Sequence, residues 1–365
     1  MSMGRFGFIM HPLSVSEDVG RKYPIARYLP ARMIEWGLKR VPPMLVSHIT
    51  GVVGSDGAQA EGWFVGCPLT PRQFLELDEG YVIGRIIQAG KVAQQAGACI
   101  VGLGAFTSVV GDAGISIARG LDIAVTTGNS YTVHTAIEGT LEAARLMGLE
   151  PERCAAAVVG CTGSIGRVTS QMLAEVVPHL VLVGRDEARL RAVADQLAGR
   201  AQVETSTHTA TALLAADIVV SVTSALDTVI EPWFLKPGAV VCDVARPRDV
   251  SKRVAKQRPD VLVIEGGVVA VPGNVDFGFD FGFPARTAYA CIAETMILAL
   301  EQRYESYSLG RDIEAAKVRE IAALAAKHGF RLAGFRSFER EVTSEHINRT
   351  RELAERARKH GIPGG

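Results

Sequence analysis

The stretch "AVVGCTGSIGRVTSQMLA", residues 157–174, constrains the fold more than any other. An apolar run meets glycines at 160, 163 and 166, and an apolar-periodic segment follows. That is a strand turning tightly into a helix. The first glycine permits the turn, and the second lets a pyrophosphate approach the backbone. The third lets helix and strand pack closely. N–H groups at the helix start then face the phosphates. Gly160, Thr162, Gly163, Ser164, Ile165 and Gly166 are therefore expected to bind a dinucleotide; a glycine turn without a ligand is the alternative. Further strands at "HLVLVGRD", "ADIVVSVTSA", "AVVCDVARP" and "VLVIEGGVVAV" alternate with helix patterns. The reading is an α/β chain with a doubly wound Rossmann-type NADP-binding domain.

The second strand of this domain bears on which dinucleotide binds. An NAD enzyme usually ends it in Asp or Glu, for the ribose 2′-OH. Here it ends Val183-Gly184-Arg185-Asp186, with Arg189 one turn on. Guanidinium groups at 185 and 189 suit a 2′-phosphate, so the expectation is NADPH, with Asp186 keeping NAD open. Thr223 and Ser224, and Ala245-Arg246-Pro247, end later strands at the edge where ligands bind, and are expected to flank the nicotinamide.

Before residue 150 the chain reads as an α/β substrate domain. "FGFIM" is a strand, and the segment around "SHITG" and "GWFVG" is a hairpin. A helix is expected over about 78–96. "ACIVGLGAF" and "IAVTTGNS" are strands running into loops. The predicted domains are residues 1–150 for the substrate, 151–284 for NADP, 285–338 as helices packing back on the substrate domain, and a charged helical tail at 339–365.

Lys+Arg and Asp+Glu are both 39, which argues against bulk nucleic-acid binding. No apolar run reaches the roughly 18 residues of a membrane span. Six cysteines lie without CxxC spacing, so neither a disulfide framework nor a zinc site is read, and no metal is expected. Free thiols fit a reducing cytoplasm. Cys291 lies in "FPARTAYACIAETMILALE", expected to be a helix over about 285–304 entered through Pro284. A helix start and the nearby Arg286 favour a thiolate, although buried cysteines are usually inert packing. Cys161, inside the glycine loop, rivals it by position.

"FGFIMHPLS", "LGAFTSVV", "TTGNSYTVHTA", "GCTGSIG", "IEGGVV" and "ARTAYACIAE" follow one another in an order that resembles the cyanobacterial long-chain acyl-[acyl-carrier-protein] reductases. The resemblance spans about residues 5–335. It implies NADPH-dependent reduction of a fatty acyl thioester to the aldehyde, with Cys291 carrying the acyl group. It also implies an acidic acyl carrier protein, or CoA, as donor, and suggests an aldehyde-consuming partner enzyme. Oxyanion donors would come from Thr107, Ser108, Ser130 or Tyr131, and a proton from His134; helix-capping hydroxyls and a surface histidine are the plain alternatives. Arg21, Lys22, Arg27, Arg32, Lys39 and Arg40, against the single acid Glu35, form a basic docking stretch or a solvated helix. The competing enzyme is an NADP-dependent dehydrogenase of the shikimate-dehydrogenase type acting on a small hydroxy acid, which needs no Cys291.

Overall fold

The computed structural model describes residues 3–12, 28–225, 227–245, 247–280, 282–338 and 340–360. Arg21, Lys22, Arg27 and Arg246 lie outside them. The chain forms two compact units. Unit 1 comprises residues 1–131, 269–311 and 319–331; unit 2 comprises 132–268, 312–318 and 332–365. The chain passes from unit 1 to unit 2 inside a helix at 131/132, nineteen residues before the expected boundary, and returns at Val269.

In unit 1, strand β1 (Gly4–Met10) is followed by helix α1 (Ala31–Leu38) and the hairpin β2 (Met44–Val53) and β3 (Gln59–Gly66). Helices α2 (Pro71–Glu76) and α3 (Glu79–Gln95) lead to β4 (Ile100–Leu103), α4 (Ile115–Arg119) and β5 (Ala124–Thr126). Asp78 caps α3 by accepting from Tyr81 N at 2.8 Å. Helix α5 (Asn129–Leu146) carries the chain into unit 2.

Unit 2 continues with β6 (Ala155–Val159), α6 (Ser164–Leu173), β7 (His179–Val183), α7 (Glu187–Gln196), β8 (Gln202–Ser206), α8 (Thr209–Leu214), β9 (Ile218–Ser221), β10 (Val240–Asp243), α9 (Lys252–Gln257) and β11 (Leu262–Glu265). The sheet order is β11-β10-β9-β6-β7-β8, every pairing parallel. Counted from β6, that is 3-2-1-4-5-6 read from β8, the order of dinucleotide-binding domains. The glycine turn leaves β6 at the switch point, where the order reverses between β6 and β9. Central strands are buried apolar runs, whereas edge strand β8, "QVETS", is polar and largely exposed. Leu180, Leu182, Ile218 and Val220 fill one face of this sheet, and Val181, Val219, Val241 and Val263 the other.

The last segments return in part to unit 1. They are β12 (Val268–Ala270), β13 (Gly273–Asp276), β14 (Thr287–Tyr289), α10 (Ala290–Leu300), α11 (Ala315–His328), β15 (Arg331–Leu332), β16 (Phe335–Ser337), β17 (Arg340–Val342) and α12 (Ser344–His360). Unit 1's mixed sheet runs β13-β2-β3-β1-β4-β5, with α10 packed against β1 and β4. Gly4 and Gly102 allow that approach, because a Cβ on either would overlap Ala299 O or Thr295 Oγ1 of α10. Val342, Ile347 and Ala354 join unit 2's core, so the tail helix is not charged on every side.

Two expected elements differ. The helix read over 285–304 is α10 alone, because Arg286 has φ +60 and 287–289 are extended; Gln302, at φ +53, closes the other end. "VLVIEGGVVAV" splits into β11 and β12 at Gly266-Gly267, where Gly267 has φ +79. Among the described residues no helix is long and apolar enough to cross a membrane.

Candidate functional sites

Helix α10 is mostly apolar, with Glu294 and Thr295 as its polar residues besides Cys291, and is buried nearly all round, as a core helix should be. Ten of its eleven residues are buried; Cys291 alone is half-exposed. It is the second residue of the helix, in the first turn, where the positive end of the dipole favours an anion. Gly128, at the start of α5, lies directly against it. Its φ is +72, and a Cβ there would overlap Cys291 Cα and Cβ and stand 2.8 Å from Cys291 O. Glycine is thus required twice over at this contact.

Glycine cannot cap α5, and Glu294, three residues after Cys291, supplies the missing acceptor. Its fully buried carboxylate accepts from Tyr131 N at 2.7 Å, from Thr126 Oγ1 and from the Gly128 N–H. Ser308 Oγ lies 2.8 Å from Glu294 Oε1 and 2.6 Å from Ser130 Oγ. Burial pushes the Glu294 carboxyl above the usual range, against the pull of these donors. One side chain thus fixes residues 126–131 on the first turn that carries the cysteine.

The proposed oxyanion donors are engaged locally. Thr107 Oγ1 donates to Gly104 O at 2.8 Å and Ser108 Oγ to Ala105 O at 2.7 Å, within a 3-10 turn. Tyr131's ring lies in unit 1's core. His134 belongs to unit 2 and faces Glu138 one turn on, at 3.5 Å; burial holds its ring below the usual histidine range. Cys161 is fully buried in unit 2's core, and burial pushes its thiol to about 12; Cys67 reaches about 12 and Cys154 about 11 for the same reason. These are poor nucleophiles at neutral pH.

In unit 2, each glycine of the turn has its own reason. Gly160 has φ +86. A Cβ at Gly166 would stand 2.7 Å from Cys161 Cα. A Cβ at Gly163 would meet only Gly160 O, at 3.4 Å. The fold does not demand a glycine there. Gly163 is also the N-cap of α6 and brings no side-chain cap, so the first-turn N–H groups have no capping acceptor from that residue. A pyrophosphate fits both facts. Thr162, Ser164 and Ile165 are half-buried around the turn. At the end of β7, Arg185 and Arg189 are exposed, while Asp186 caps α7 by accepting from Arg189 N at 3.0 Å.

Two aspartates that the sequence reading passed over hold the remaining strand ends. Asp249, fully buried, accepts from Ser221 Oγ at 2.6 Å, from Thr223 N at 3.0 Å and from Thr223 Oγ1. Asp243 accepts from Ala245 N at 3.1 Å and Val250 N at 3.0 Å. They fix the backbone at Thr223 and Ala245; Ser224 is exposed and Pro247 half-buried beside them. Asp243 ends a strand at the ligand edge, a signal available from sequence; Asp249 and Ser308 had none.

Among the described residues one group could offer metal ligands, Asp56, Glu301 and His328 in unit 1. Lys327 Nζ shares both carboxylates, at 2.5 Å from Glu301 and 3.8 Å from Asp56, so the protein supplies its own counter-charge.

A model of the shikimate/quinate 5-dehydrogenase family matches residues 142–265, all within unit 2. An aminotransferase, PigE, of Serratia sp. is 30% identical over 357 residues, covering 94% of this chain and 41% of its own length. The chain therefore spans less than half of that relative. The long-chain acyl-[acyl-carrier-protein] reductase of Synechococcus elongatus is 29% identical over 342 residues, 89% of this chain and 98% of that protein, a distant relationship. The solved L-tryptophan dehydrogenase of Nostoc punctiforme is similar at 14% identity and TM-score 0.41, over 97% of this chain and 88% of that one. Strand order, glycine turn and family match together give unit 2 the NAD(P)-binding fold of oxidoreductases.

Proposed function

We propose that the chain reduces a fatty acyl thioester, delivered on acyl carrier protein or CoA, to the aldehyde through an acyl-Cys291 intermediate. The observation that carries this reading is the accessibility of Cys291 alone on an otherwise buried helix, in its first turn. The distant acyl-carrier-protein reductase relative supports the substrate class. The glycine turn would hold the pyrophosphate and Arg185 with Arg189 a 2′-phosphate, because Asp186 is committed to its helix cap. NADPH, when bound, supplies hydride to an acyl carbonyl carbon.

The sulfur of Cys291 attacks the thioester carbonyl, a C–S bond forms to the enzyme, and the donor's C–S bond breaks. The donor thiolate takes the proton lost by Cys291. After hydride adds to the carbonyl carbon, the C–S bond to Cys291 breaks with its electron pair going to sulfur, the aldehyde leaves, and the Cys291 thiolate takes a proton from solvent. Gly128 lets the backbone close directly onto Cys291, and Glu294 keeps residues 126–131 in place beside it. First-turn N–H groups of α10 are the nearest oxyanion donors on the same helix.

The test is intact-protein mass after exposure to palmitoyl-CoA without nucleotide. One acyl adduct is expected on the natural chain and none on Cys291→Ser; NADPH then releases aldehyde. Equal turnover by both proteins would remove the covalent mechanism and leave a dehydrogenase of the shikimate type.

A further inference from the structure

The basic stretch expected to dock an acidic carrier has a second character in the fold. Tyr28, Met33 and Trp36 are 87%, 58% and 64% exposed, and Leu29 is exposed too. Met33, Trp36 and Arg40 follow one another at spacings of three and four, so they form one stripe along α1 and its C-terminal turn, with Tyr28 and Leu29 exposed just ahead of the helix. Arg40 covers the Trp36 ring at 3.8 Å, and its Nη1 donates to Trp36 O at 2.9 Å. Arg32 and Lys39 flank the stripe and are exposed. The one acid of residues 28–40, Glu35, points the other way. It is buried, accepts from Thr70 Oγ1 at 3.1 Å and pairs with Arg72, and so anchors α1 to α2. Ile34 is buried on the same inner side.

Four large apolar side chains exposed within nine residues are unusual on a soluble surface. Salt-bridging to an acidic protein would engage Arg32, Lys39 and Arg40 and leave the apolar stripe uncovered. An anionic bilayer surface takes both parts. Trp and Tyr settle at headgroup depth, Met and Leu enter the acyl boundary, and the cations meet lipid phosphates. The net charge of the chain is zero, so such attraction is local to this face. We infer that α1 and residues 28–30 ahead of it form an interfacial anchor that lays unit 1 on an anionic membrane surface. The inference is independent of the reductase reading: binding is measured with neither thioester nor nucleotide present.

The experiment uses the full chain with Trp63→Phe and Trp233→Phe, which leaves Trp36 as the reporter. Vesicles are phosphatidylcholine alone or with a quarter phosphatidylglycerol. The expected result is co-sedimentation with the anionic vesicles, a blue shift of Trp36 emission, and quenching by lipids brominated on the acyl chain. In the natural chain, Met33→Asp with Trp36→Asp should weaken partitioning about tenfold or more. Arg32→Gln, Lys39→Gln and Arg40→Gln together should remove the preference for anionic lipid, at about fivefold per charge. All five side chains are exposed, and far-ultraviolet circular dichroism with a thermal melt confirms that the variants fold. Absence of vesicle binding, or binding unchanged in the aspartate variant, overturns the inference. So does saturable binding of acyl carrier protein that the aspartate variant abolishes while vesicles bind neither protein.

Discussion

Replacing Glu294 by alanine withdraws the acceptor that Tyr131 N, Gly128 N, Thr126 Oγ1 and Ser308 Oγ share. The two hydroxyls can turn; Ser308 already has Ser130 Oγ at 2.6 Å. The Gly128 N–H keeps Thr126 Oγ1 at 3.3 Å, but the Tyr131 N–H cannot turn, because α5 fixes it. A buried donor left unpaired costs about 1–3 kcal/mol, so the variant should lose about 1–3 kcal/mol from the Tyr131 N–H. That is a large share of the roughly 5–15 kcal/mol that holds a domain folded. Glutamine should behave differently. Its amide oxygen can face the Tyr131 N–H, while its NH2 donates to the two hydroxyl oxygens, which accept once rotated. The loss should then be about 1 kcal/mol or less.

The gap between glutamate and glutamine should also move with pH. Burial raises the carboxyl of Glu294 in the folded state above the ordinary carboxylic-acid range. As pH rises past the unfolded value the denatured chain releases the proton first, so the natural chain loses stability until the folded value is passed. Glutamine does not titrate. The Gln variant should therefore gain on the natural chain as pH is raised from about 4.5, the gain levelling off above the folded value. Urea unfolding in a Trp233→Phe background, where Trp36 and Trp63 report on unit 1, measures both effects. Equal midpoints for the Ala and Gln variants at pH 7 would refute the claim that this carboxyl organises the turn over Cys291.

The glycine turn separates packing from ligand binding. Gly163→Ala should fold with a stability change under about 1 kcal/mol and yet bind NADPH at least tenfold more weakly by fluorescence titration, because its Cβ meets only Gly160 O. Gly166→Ala should lower the urea midpoint itself, with a loss of about 1–3 kcal/mol, since its Cβ falls against Cys161 Cα. Arg185→Ala with Arg189→Ala should weaken NADPH about tenfold or more and leave NADH unchanged, measured by the same titration. Iodoacetamide at pH 8 should label Cys291 and spare Cys67 and Cys161, whose thiols at about 12 leave a thiolate fraction of about 10⁻⁴; peptide mapping that finds Cys161 modified first would contradict this.

What the sequence made legible is what local chemistry dictates. Three glycines at fixed spacing mark a strand-to-helix turn because each answers a local demand, and five apolar runs separated by helix patterns imply a parallel sheet. What it hid depends on distant segments. Helix α10 begins at Ala290 and not at 285 because Arg286 adopts φ +60 and residues 287–289 extend, which no propensity in "PARTAY" announces. Gly128 reads as an ordinary turn residue, yet it is needed because Cys291, 163 positions later, fills the place of its side chain. Its missing cap comes from Glu294, and the hydroxyl of Ser308, a residue at φ +55, completes the set. Their places in the "LGAFTSVV" and "TTGNSYTVHTA" motifs suggested Ser108 and His134 as partners for the cysteine. The fold instead commits Ser108 to its own turn and places His134 in the other unit, while a carboxylate one turn along the cysteine's own helix holds the neighbouring backbone. A candidate residue is therefore judged by where its hydrogen bonds are already spent, and by that measure Cys291 remains the accessible group on a helix whose every other side chain is enclosed.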